Sequence, residues 1–196
     1  MDYDVEVKLL AITPDSEALL ERAGRLCYAS TDKLGTKKGW LAARIKQGHE
    51  SLIEHACATF HIRASRALTH ELVRHRLASY SQRSQRYVKE ITADYITPPE
   101  LAGEDNPGAA RIFQEAMSAA WNAYQQLLDD GIKAEIARYV LPNSCTTEII
   151  CTWNFREIRH IIRLRTGPAA LPEFRAVAEK IKDIMKEQTP GIFGDL

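Results

Sequence analysis

The sequence predicts an α+β fold, because its strand-like and helix-like segments do not alternate regularly enough for a doubly wound parallel sheet. Its 196 residues are 45% hydrophobic and 27% charged, which is an ordinary globular composition. A chain of this length buries about 70% of its extended surface on folding, so it needs no disulfides or structural metal. It contains no repeat, low-complexity tract or linker, and we expect a single domain over residues 1–196.

Hydrophobic periodicity defines the elements of the first half. Residues 5–12 are rich in Val, Ile and Leu and predict a strand closed by Pro14. Residues 55–63 alternate with period two and predict a half-buried strand with Ala56, Ala58, Phe60 and Ile62 on one face and His55, Cys57, Thr59 and His61 on the other. A helix is predicted over 16–29, with Leu19, Leu20, Ala23 and Leu26 facing the core, and a second over 40–47. A third helix is predicted after the N-cap Ser65, with Ala67, Leu68, Leu72 and Val73 facing inward.

The second half contains the longest helical pattern. Residues 109–128 predict a helix that ends near Gly131, and residues 98–108 before it are the least regular part of the chain. The apolar stripe of this helix is predicted to be Ile112, Ala116, Ala119, Ala120, Ala123 and Leu127. The remaining predicted elements are a short helix over 134–140 stopped by Pro142, a strand over 145–153, and helices over 155–164 and 174–186.

Overall charge and cysteine usage exclude several classes of protein. Twenty-six basic residues balance 26 acidic ones, so the chain lacks the global positive field of a nucleic-acid or anionic-membrane binder. The acidic N-terminus does not resemble a signal peptide, and no apolar stretch approaches the roughly 18 residues of a membrane span. The cysteines lack zinc-type spacing, so we expect free thiols in a reducing cytoplasm; they are Cys27, Cys57, Cys145 and Cys151.

The segment between Glu71 and Glu90 contains no acidic residue but many hydrogen-bond donors. It holds Arg74, Arg76, Arg83 and Arg86 together with His75, Ser79, Ser81 and Ser84. Guanidinium forks and hydroxyls suit phosphate or carboxylate oxygens, which favours a local anion site. The alternative is a solvated basic turn whose arginines pair with carboxylates elsewhere in the fold.

A second basic cluster lies in the helix predicted over 155–164 and at its end. Ile158, Ile161 and Ile162 form one apolar stripe, and Arg165 falls on the same stripe one turn later. An arginine in that register either snorkels past the helix end or enters a partly buried anionic site. A neighbouring stripe carries Arg156, His160 and Arg163.

Arg138 raises a similar question. It lies one helical turn after Glu135, so the two side chains suit an ordinary intrahelical ion pair. The alternative is that Arg138 binds the same anion as the other arginines.

Several common site motifs are absent. The six histidines form no HExxH pattern and have no adjacent cysteine ligands, so we predict no metal site. There is also no GxGxxG, GxxxxGK[ST] or GxSxG sequence. A nicotinamide or flavin would therefore have to bind through another kind of site.

Four ordered sequence blocks resemble the flavin-dependent thymidylate synthases, the ThyX family. The first is RHRLASYSQRS over 74–84, which is similar to the family's Arg-His-Arg signature followed by a serine. The others are GHESLIEH over 48–55 with the strand-like ATFHI after it, EIARYVLP over 135–142, and Asn154, Arg156, His160 and Arg165 at their spacing. These blocks cover most of the chain.

The resemblance implies a reaction and an assembly. Family members methylate dUMP reductively to dTMP, with methylenetetrahydrofolate as the one-carbon donor and NADPH as the reductant of a bound FAD, and they use no cysteine nucleophile. The resemblance also implies a compact ThyX-like fold with a central, mostly antiparallel sheet flanked by helices. The expected assembly is a homotetramer whose active sites each draw on more than one subunit.

The resemblance also implies roles for individual residues. Arg165 would be catalytic, because a guanidinium at the uracil edge stabilises negative charge developing on the pyrimidine. The implied FAD contacts are His49, Ser51, Arg74, His75, Arg76, Gln82, Asn154, Phe155, Arg156 and His160. The implied dUMP contacts are Glu71, Leu72, Val73, Arg74, Gln82, Arg83, Ser84, Gln85, Arg86, Arg138 and Arg165.

This chain departs from the family pattern at three positions. Glu71 stands where many members carry Gln, and Gln82 and Gln85 replace an acid and a glycine found in some relatives. An acid close to a nucleotide phosphate would be repulsive unless it meets a donor of the base or sugar. These differences bear on individual dUMP contacts and leave the reaction class unchanged.

Two other functions remain open at this stage. A binding module for a phosphorylated ligand or single-stranded RNA would use the arginines as phosphate clamps and Tyr80, Tyr87 and Trp153 as stacking platforms. Zero net charge and the separation of the arginine blocks count against it. An inactive homologue would lack a site residue, whereas Arg74, His75, Arg76, Ser84, Arg138 and Arg165 are all present.

Overall fold

A four-stranded antiparallel sheet forms the centre of the computed structural model, which describes residues 3–103 and 106–196. The strands are β1 (Glu6–Ile12), β2 (Cys57–Ser65), β3 (Ala78–Gln82) and β4 (Thr146–Asn154), in the spatial order β1-β2-β4-β3. The central strands β2 and β4 pair along their full nine residues, from Cys57 opposite Asn154 to Ser65 opposite Thr146. The prediction of an α+β fold is confirmed.

The helices are α1 (Ser16–Leu26), α2 (Trp40–Lys46), α3 (Arg66–Leu72), α4 (Pro107–Asp129), α5 (Ala134–Ala137), α6 (Phe155–Arg165), α7 (Pro172–Gln188) and α8 (Pro190–Phe193). Short 3₁₀ turns cover 31–33, 50–55, 99–101 and 138–140. His55, which the sequence places in a strand, lies in the second of these turns, so β2 begins two residues later. Part of the irregular segment 98–108, residues 104 and 105, lies outside the described residues.

The alternation predicted for β2 is confirmed. Ala58, Phe60 and Ile62 are buried on one face, whereas Thr59 on the opposite face shares a hydrogen bond with Thr152 of β4 over 2.9 Å. The buried face belongs to a core that also contains the isoleucines of α6 and the apolar side of α7. The predicted stripe of Ile158, Ile161 and Ile162 is fully buried there.

Each central strand runs directly into a helix whose first turn is capped by the last residue of the strand. The Ser65 hydroxyl accepts a hydrogen bond from Leu68 N at the start of α3, which confirms the predicted N-cap. Asn154 Oδ1 accepts one from Glu157 N at the start of α6. Because β2 and β4 are antiparallel, α3 and α6 begin at opposite ends of the sheet.

The predicted inward face of α1 is correct for Leu20 and wrong for Leu19 and Leu26. Leu20 is buried, but Leu19 and Leu26 are 39% and 70% exposed. The helix instead turns Gly24 toward α2, where a Cβ atom on Gly24 would lie 2.6 Å from the ring of Trp40. Close approach of that ring, which only glycine permits, sets the rotation of α1.

The predicted stripe of α4 is also wrong. Phe113, Met117 and Tyr124 are buried, whereas Ile112 is 63% exposed and the alanines at 116 and 119 are exposed as well. Large side chains fill the space against the rest of the chain better than alanines, and the Tyr124 hydroxyl accepts a hydrogen bond from Glu90 N over 3.1 Å. The alanine-rich side therefore faces away from the core.

One further inward position is wrong. Val73, predicted to face the core, follows the end of α3 and is 38% exposed, because the helix stops at Leu72 and the chain turns there.

We predict that Ile158→Ala lowers the free energy of unfolding by about 2–5 kcal/mol, because it leaves a cavity in the fully buried stripe of α6. Leu164→Ala on the same helix is the control: its side chain is 51% exposed, and its effect should stay within about 0.5 kcal/mol. Urea unfolding at one fixed protein concentration measures both. Equal losses in the two variants would contradict the assigned orientation of α6.

Candidate functional site

Arg165, at the end of α6, is held on three sides. Its Nε donates a hydrogen bond to His75 Nε2 over 3.1 Å, and its Nη1 pairs with Glu71 Oε2 over 2.7 Å. The guanidinium carbon, Cζ, lies over the Phe174 ring, 4.6 Å from its centroid. The side chain remains 18% exposed. Of the two alternatives for Arg165, the structure shows the partly buried position rather than snorkelling.

The ring of His75 is enclosed beneath Arg165. His75 is only 5% exposed, and its Nδ1 lies 3.3 Å from Glu157 Oε1. Burial, the Arg165 charge and the nearby His160 ring lower the pKa of His75 to about 4. Protonation of Nε2 would also break the hydrogen bond from Arg165, so the ring is neutral at pH 7.

Arg165, His75, Glu71 and Phe174 form the first cluster of the site. Glu157 is a further member of this cluster, which the sequence did not reveal. It occupies the third position of α6, where an acidic side chain commonly completes a helix cap. In the structure only its backbone N is used for capping; its carboxylate is 7% exposed and faces His75. The sequence signal at this position predicts the helix start and does not reveal the contact across the fold.

Arg74 and Arg76 are exposed beside this cluster, and no carboxylate oxygen in the described part of the chain lies within salt-bridge distance of either. The arginines on the outer face of α6 differ, because Arg156 pairs with Glu54 over 2.5 Å and Arg163 with Glu50 over 2.8 Å. Arg74 and Arg76 therefore keep their donors available for an external anion.

The implied FAD contacts separate into an exposed and an enclosed group. The exposed side chains are His49, Ser51, Arg74, Arg76, Arg156 and His160. The 3₁₀ turn over 50–55 contributes Ser51 and packs against α6, which contributes Arg156 and His160. Glu50, in that turn, reaches both Arg156 and Arg163 and ties the turn to the helix.

In the enclosed group, the side chains are already used within the chain. Phe155 is fully buried against Phe193, Asn154 caps α6, and Gln82 Nε2 donates to hydroxyls of α3 and β4. His75 belongs to the same group. These side chains shape the site from beneath, and contacts from them to a ligand remain predictions.

Some of the implied dUMP contacts form a second cluster beyond the end of β3, made of residues 83–86 and Arg138. Arg83 pairs with Glu90 and Arg86 with Glu135, each over 3.2 Å, so the solvated-turn alternative describes these two arginines. The predicted intrahelical ion pair of Arg138 does not form: its Nε donates to the carbonyl oxygen of Glu135, whose carboxylate is engaged by Arg86. Ser84 lies in the same turn.

Gln85, in this second cluster, carries an unusual polar group. The residue is 5% exposed, and its Nε2 has no hydrogen-bond partner in the described part of the chain. A buried amide without a partner costs free energy, so this donor suits a ligand acceptor.

The two clusters lie at opposite ends of β3. The chain passes through Glu71 and His75 before the strand and through residues 83–86 after it. The five residues of β3 cover about 13 Å at a rise of 3.3 Å per residue. Leu72 is buried, so it can meet a ligand only through its backbone.

Two of the three aromatic residues predicted as stacking platforms are not available for stacking. Trp153 is 1% exposed, and the Tyr80 hydroxyl is bound to the carbonyl oxygens of Leu72 and His75. Tyr87 is 78% exposed, with the Arg86 guanidinium over its ring. The structure therefore gives little support to a base-stacking surface.

The four cysteines are unpaired, as predicted. Burial raises the pKa of Cys145 to about 11 and raises that of Cys151 still further. Cys27 and Cys57 are exposed and lie outside both clusters. None of these thiols is placed to serve as an activated nucleophile beside Arg165.

The described residues offer neither a metal centre nor a membrane-spanning helix. They contain no group of three or more potential ligands arranged for a metal ion. No helix among them has the length and hydropathy required to cross a bilayer.

Comparison with known proteins gives a consistent result. Residues 8–191 match the family model described as thymidylate synthase complementing protein. A flavin-dependent thymidylate synthase of Geobacter sulfurreducens is 42% identical, over 97% of this chain and 86% of the relative. One from Clostridium tetani is 38% identical, over 96% of this chain and 85% of the relative.

A solved structure shares the fold. It is the UMP/dUMP methylase PolB from Streptomyces cacaoi bound with 5-Br dUMP, which superposes with a TM-score of 0.87 at 28% identity. The similarity covers 97% of this chain and 93% of that one.

We predict that His75 makes folding sensitive to mild acid. Its pKa of about 4 in the folded chain lies below the ordinary value near 6.5, so the unfolded chain takes up this proton first as the pH falls. The stability contributed by the neutral ring is complete above pH ~6.5 and is lost as the pH falls toward 4. Urea unfolding at several pH values measures this loss.

His75→Asn should remove that part of the pH dependence. His70→Asn, a change of an exposed histidine on α3, is the control and should leave it in place. Identical pH profiles for the wild type and His75→Asn would show that the ring titrates normally.

Proposed function

Because this chain belongs to the family of flavin-dependent thymidylate synthases, we propose that it methylates dUMP reductively to dTMP. Methylenetetrahydrofolate is the one-carbon donor and NADPH the reductant, acting through bound FAD. The observation that carries this proposal is the position of Arg165: a partly buried guanidinium, held by His75, Glu71 and Phe174, at the edge of a surface with free cationic donors.

The donor set fits FAD. A pyrophosphate needs convergent cations where no glycine-rich helix start is present, and Arg74 and Arg76 are exposed and free of carboxylate partners in the described chain. His49, Ser51, Arg156 and His160 would complete the exposed contacts, with Asn154, Phe155, His75 and Gln82 supporting them from beneath. FAD, when bound, supplies the hydride chemistry that no side chain of this protein can provide.

Arg165 stabilises the negative charge that develops on the pyrimidine ring. Because Arg165 is partly buried, its attraction to that negative charge is stronger than the same attraction would be in water. Glu71 partly balances the guanidinium charge in the absence of substrate, and a substrate acceptor would share the guanidinium with it. The raised thiol pKa values of Cys145 and Cys151 agree with a reaction that uses no cysteine nucleophile.

The phosphate of dUMP is assigned to the second cluster. Ser84 and Arg86 contribute donors there, together with Arg138 and the unpartnered amide of Gln85. Arg83 lines the same turn. The segment Glu71 to Arg74, including Leu72 and Val73, would meet the nucleoside from the side of Arg165.

The separation of the two clusters supports a site shared between subunits. Within one chain they lie at the two ends of β3, a strand about 13 Å long. A neighbouring copy that places its Arg86 opposite this chain's Arg165 would complete the pocket. We therefore propose a homotetramer with shared active sites, for which the exposed apolar side of α4, around Ile112, is available surface.

We predict that Arg165→Ala lowers the rate of dTMP formation by about 100-fold or more, because it removes the cation that stabilises the developing charge. Bound flavin and the assembly should remain. Arg111→Ala is the control, because this exposed arginine on α4 pairs with Glu115 and with no other carboxylate among the described residues. The measurement is dTMP formation under saturating substrates; turnover like that of the wild type would remove Arg165 from the mechanism.

We predict that Arg76→Ala weakens the binding of FAD before it affects dUMP. Loss of one free guanidinium from the pyrophosphate site should raise the dissociation constant for FAD by about 10-fold or more. Flavin fluorescence titration of the apoprotein measures this dissociation constant, and Arg111→Ala is again the control. A variant that purifies fully loaded with FAD and fails only on dUMP would assign Arg76 to the substrate instead.

A further inference from the structure

The contacts of Arg165 restrict both the position and the rotation of its guanidinium. His75 accepts from Nε, Glu71 pairs with Nη1, and Cζ lies over the Phe174 ring. A guanidinium has five N–H donors in a rigid plane. His75 and Glu71 engage two of them, which leaves one on Nη1 and two on Nη2. No other hydrogen-bond partner of Arg165 occurs among the described residues.

The hydrogen bond at Nε determines the tautomer of His75. The Arg165 Nε–H can only donate, so His75 Nε2 must be the acceptor and carries no proton. The ring proton therefore lies on Nδ1, which faces Glu157 Oε1 at 3.3 Å. An ionised carboxylate can only accept, so Glu157 favours this tautomer and disfavours the other.

Among the described residues, only Arg165 and Glu157 form hydrogen bonds with the His75 ring. Two aromatic rings pack against it at their edges, those of Phe174 and His160, each with its centroid 5.8 Å away. His75 and Glu157 are 5% and 7% exposed, so water has little access to either. The direction of both hydrogen bonds is thus set by the protein.

We propose that His75 and Glu157 are positioning residues for Arg165: the Glu157 carboxylate fixes the tautomer and orientation of His75, and the ring fixes the guanidinium. This inference rests on the proposed function, because it assigns the unused donors of Arg165 to the substrate. Neither residue touches the reacting atoms. In a purely structural role the two side chains would only fill space beneath Arg165.

The variant that separates these roles is Glu157→Gln. It keeps the size of the side chain and the backbone N that Asn154 caps, but an amide can also donate to Nδ1 and so permits the wrong tautomer. We expect kcat for dTMP formation to fall by about 10- to 100-fold, as is typical when the group that orients a functional side chain is lost. The KM for dUMP and the FAD content should change little.

Glu173→Gln is the matched control. Glu173 is also a buried carboxylate, 5% exposed, but it accepts hydrogen bonds from Ser65 and makes none with His75. Its substitution reports the general effect of changing a buried acid to an amide. We expect kcat to stay near the wild-type value even if thermal stability falls.

A double substitution tests whether Glu157 acts through Arg165. In an Arg165→Lys background the side chain has no Nε–H to direct, so adding Glu157→Gln should not lower kcat further. Independent losses that multiply in the double variant would overturn the proposal.

The tautomer itself is measurable without turnover. Nitrogen-15 NMR of the histidine-labelled wild-type protein, with the His75 signal identified by its absence in His75→Asn, should show the proton on Nδ1. A proton on Nε2 would overturn the proposal even if Glu157→Gln fails to fold. If the wild type forms no dTMP but shows this tautomer, the proposed function fails while the hydrogen-bond chain stands.

Discussion

The antiparallel pairing of β2 with β4 is the constraint on which the rest of the site depends. It aligns nine residues of each strand and buries alternate side chains against α6 and α7. Because each strand continues into a helix without a loop, the pairing also sets where α3 and α6 begin. The end of α3 supplies Glu71 and the end of α6 supplies Arg165, so a slip of one residue would separate them and turn the buried face outward.

Local periodicity was sufficient for the parts of the fold that have one clear apolar face. The alternation of β2, the isoleucine stripe of α6 and the cap at Ser65 all follow from short-range rules that the tertiary structure reinforces. The buried faces of α1 and α4 could not be predicted in this way, because the apolar arc of each helix is broader than the part of it that becomes buried. Which side is buried depends on partners distant in sequence, such as Trp40 against Gly24.

The candidate site was predictable as a set of residues but not as a set of contacts. The sequence shows an Arg165 in register with buried isoleucines, and the family resemblance explains why it is there. It does not show that Glu157, in a position typical of a helix cap, directs its carboxylate at His75. Nor does it show which arginines are neutralised: Arg156 pairs with Glu54, whereas Arg74 has no carboxylate partner in the described part of the chain. Those distinctions arise only when separate segments meet.

The link between Glu50 and the two arginines of α6 has a consequence for behaviour in salt. Arg156 and Arg163 are about half exposed, so mobile ions screen their attraction to Glu50. The enclosed chain from Glu157 to Arg165 is shielded from those ions. Rising ionic strength should therefore loosen the 3₁₀ turn at 50–55, and with it the surface assigned to the cofactor, before it disturbs Arg165. The two halves of one reaction centre would then differ in their tolerance of salt.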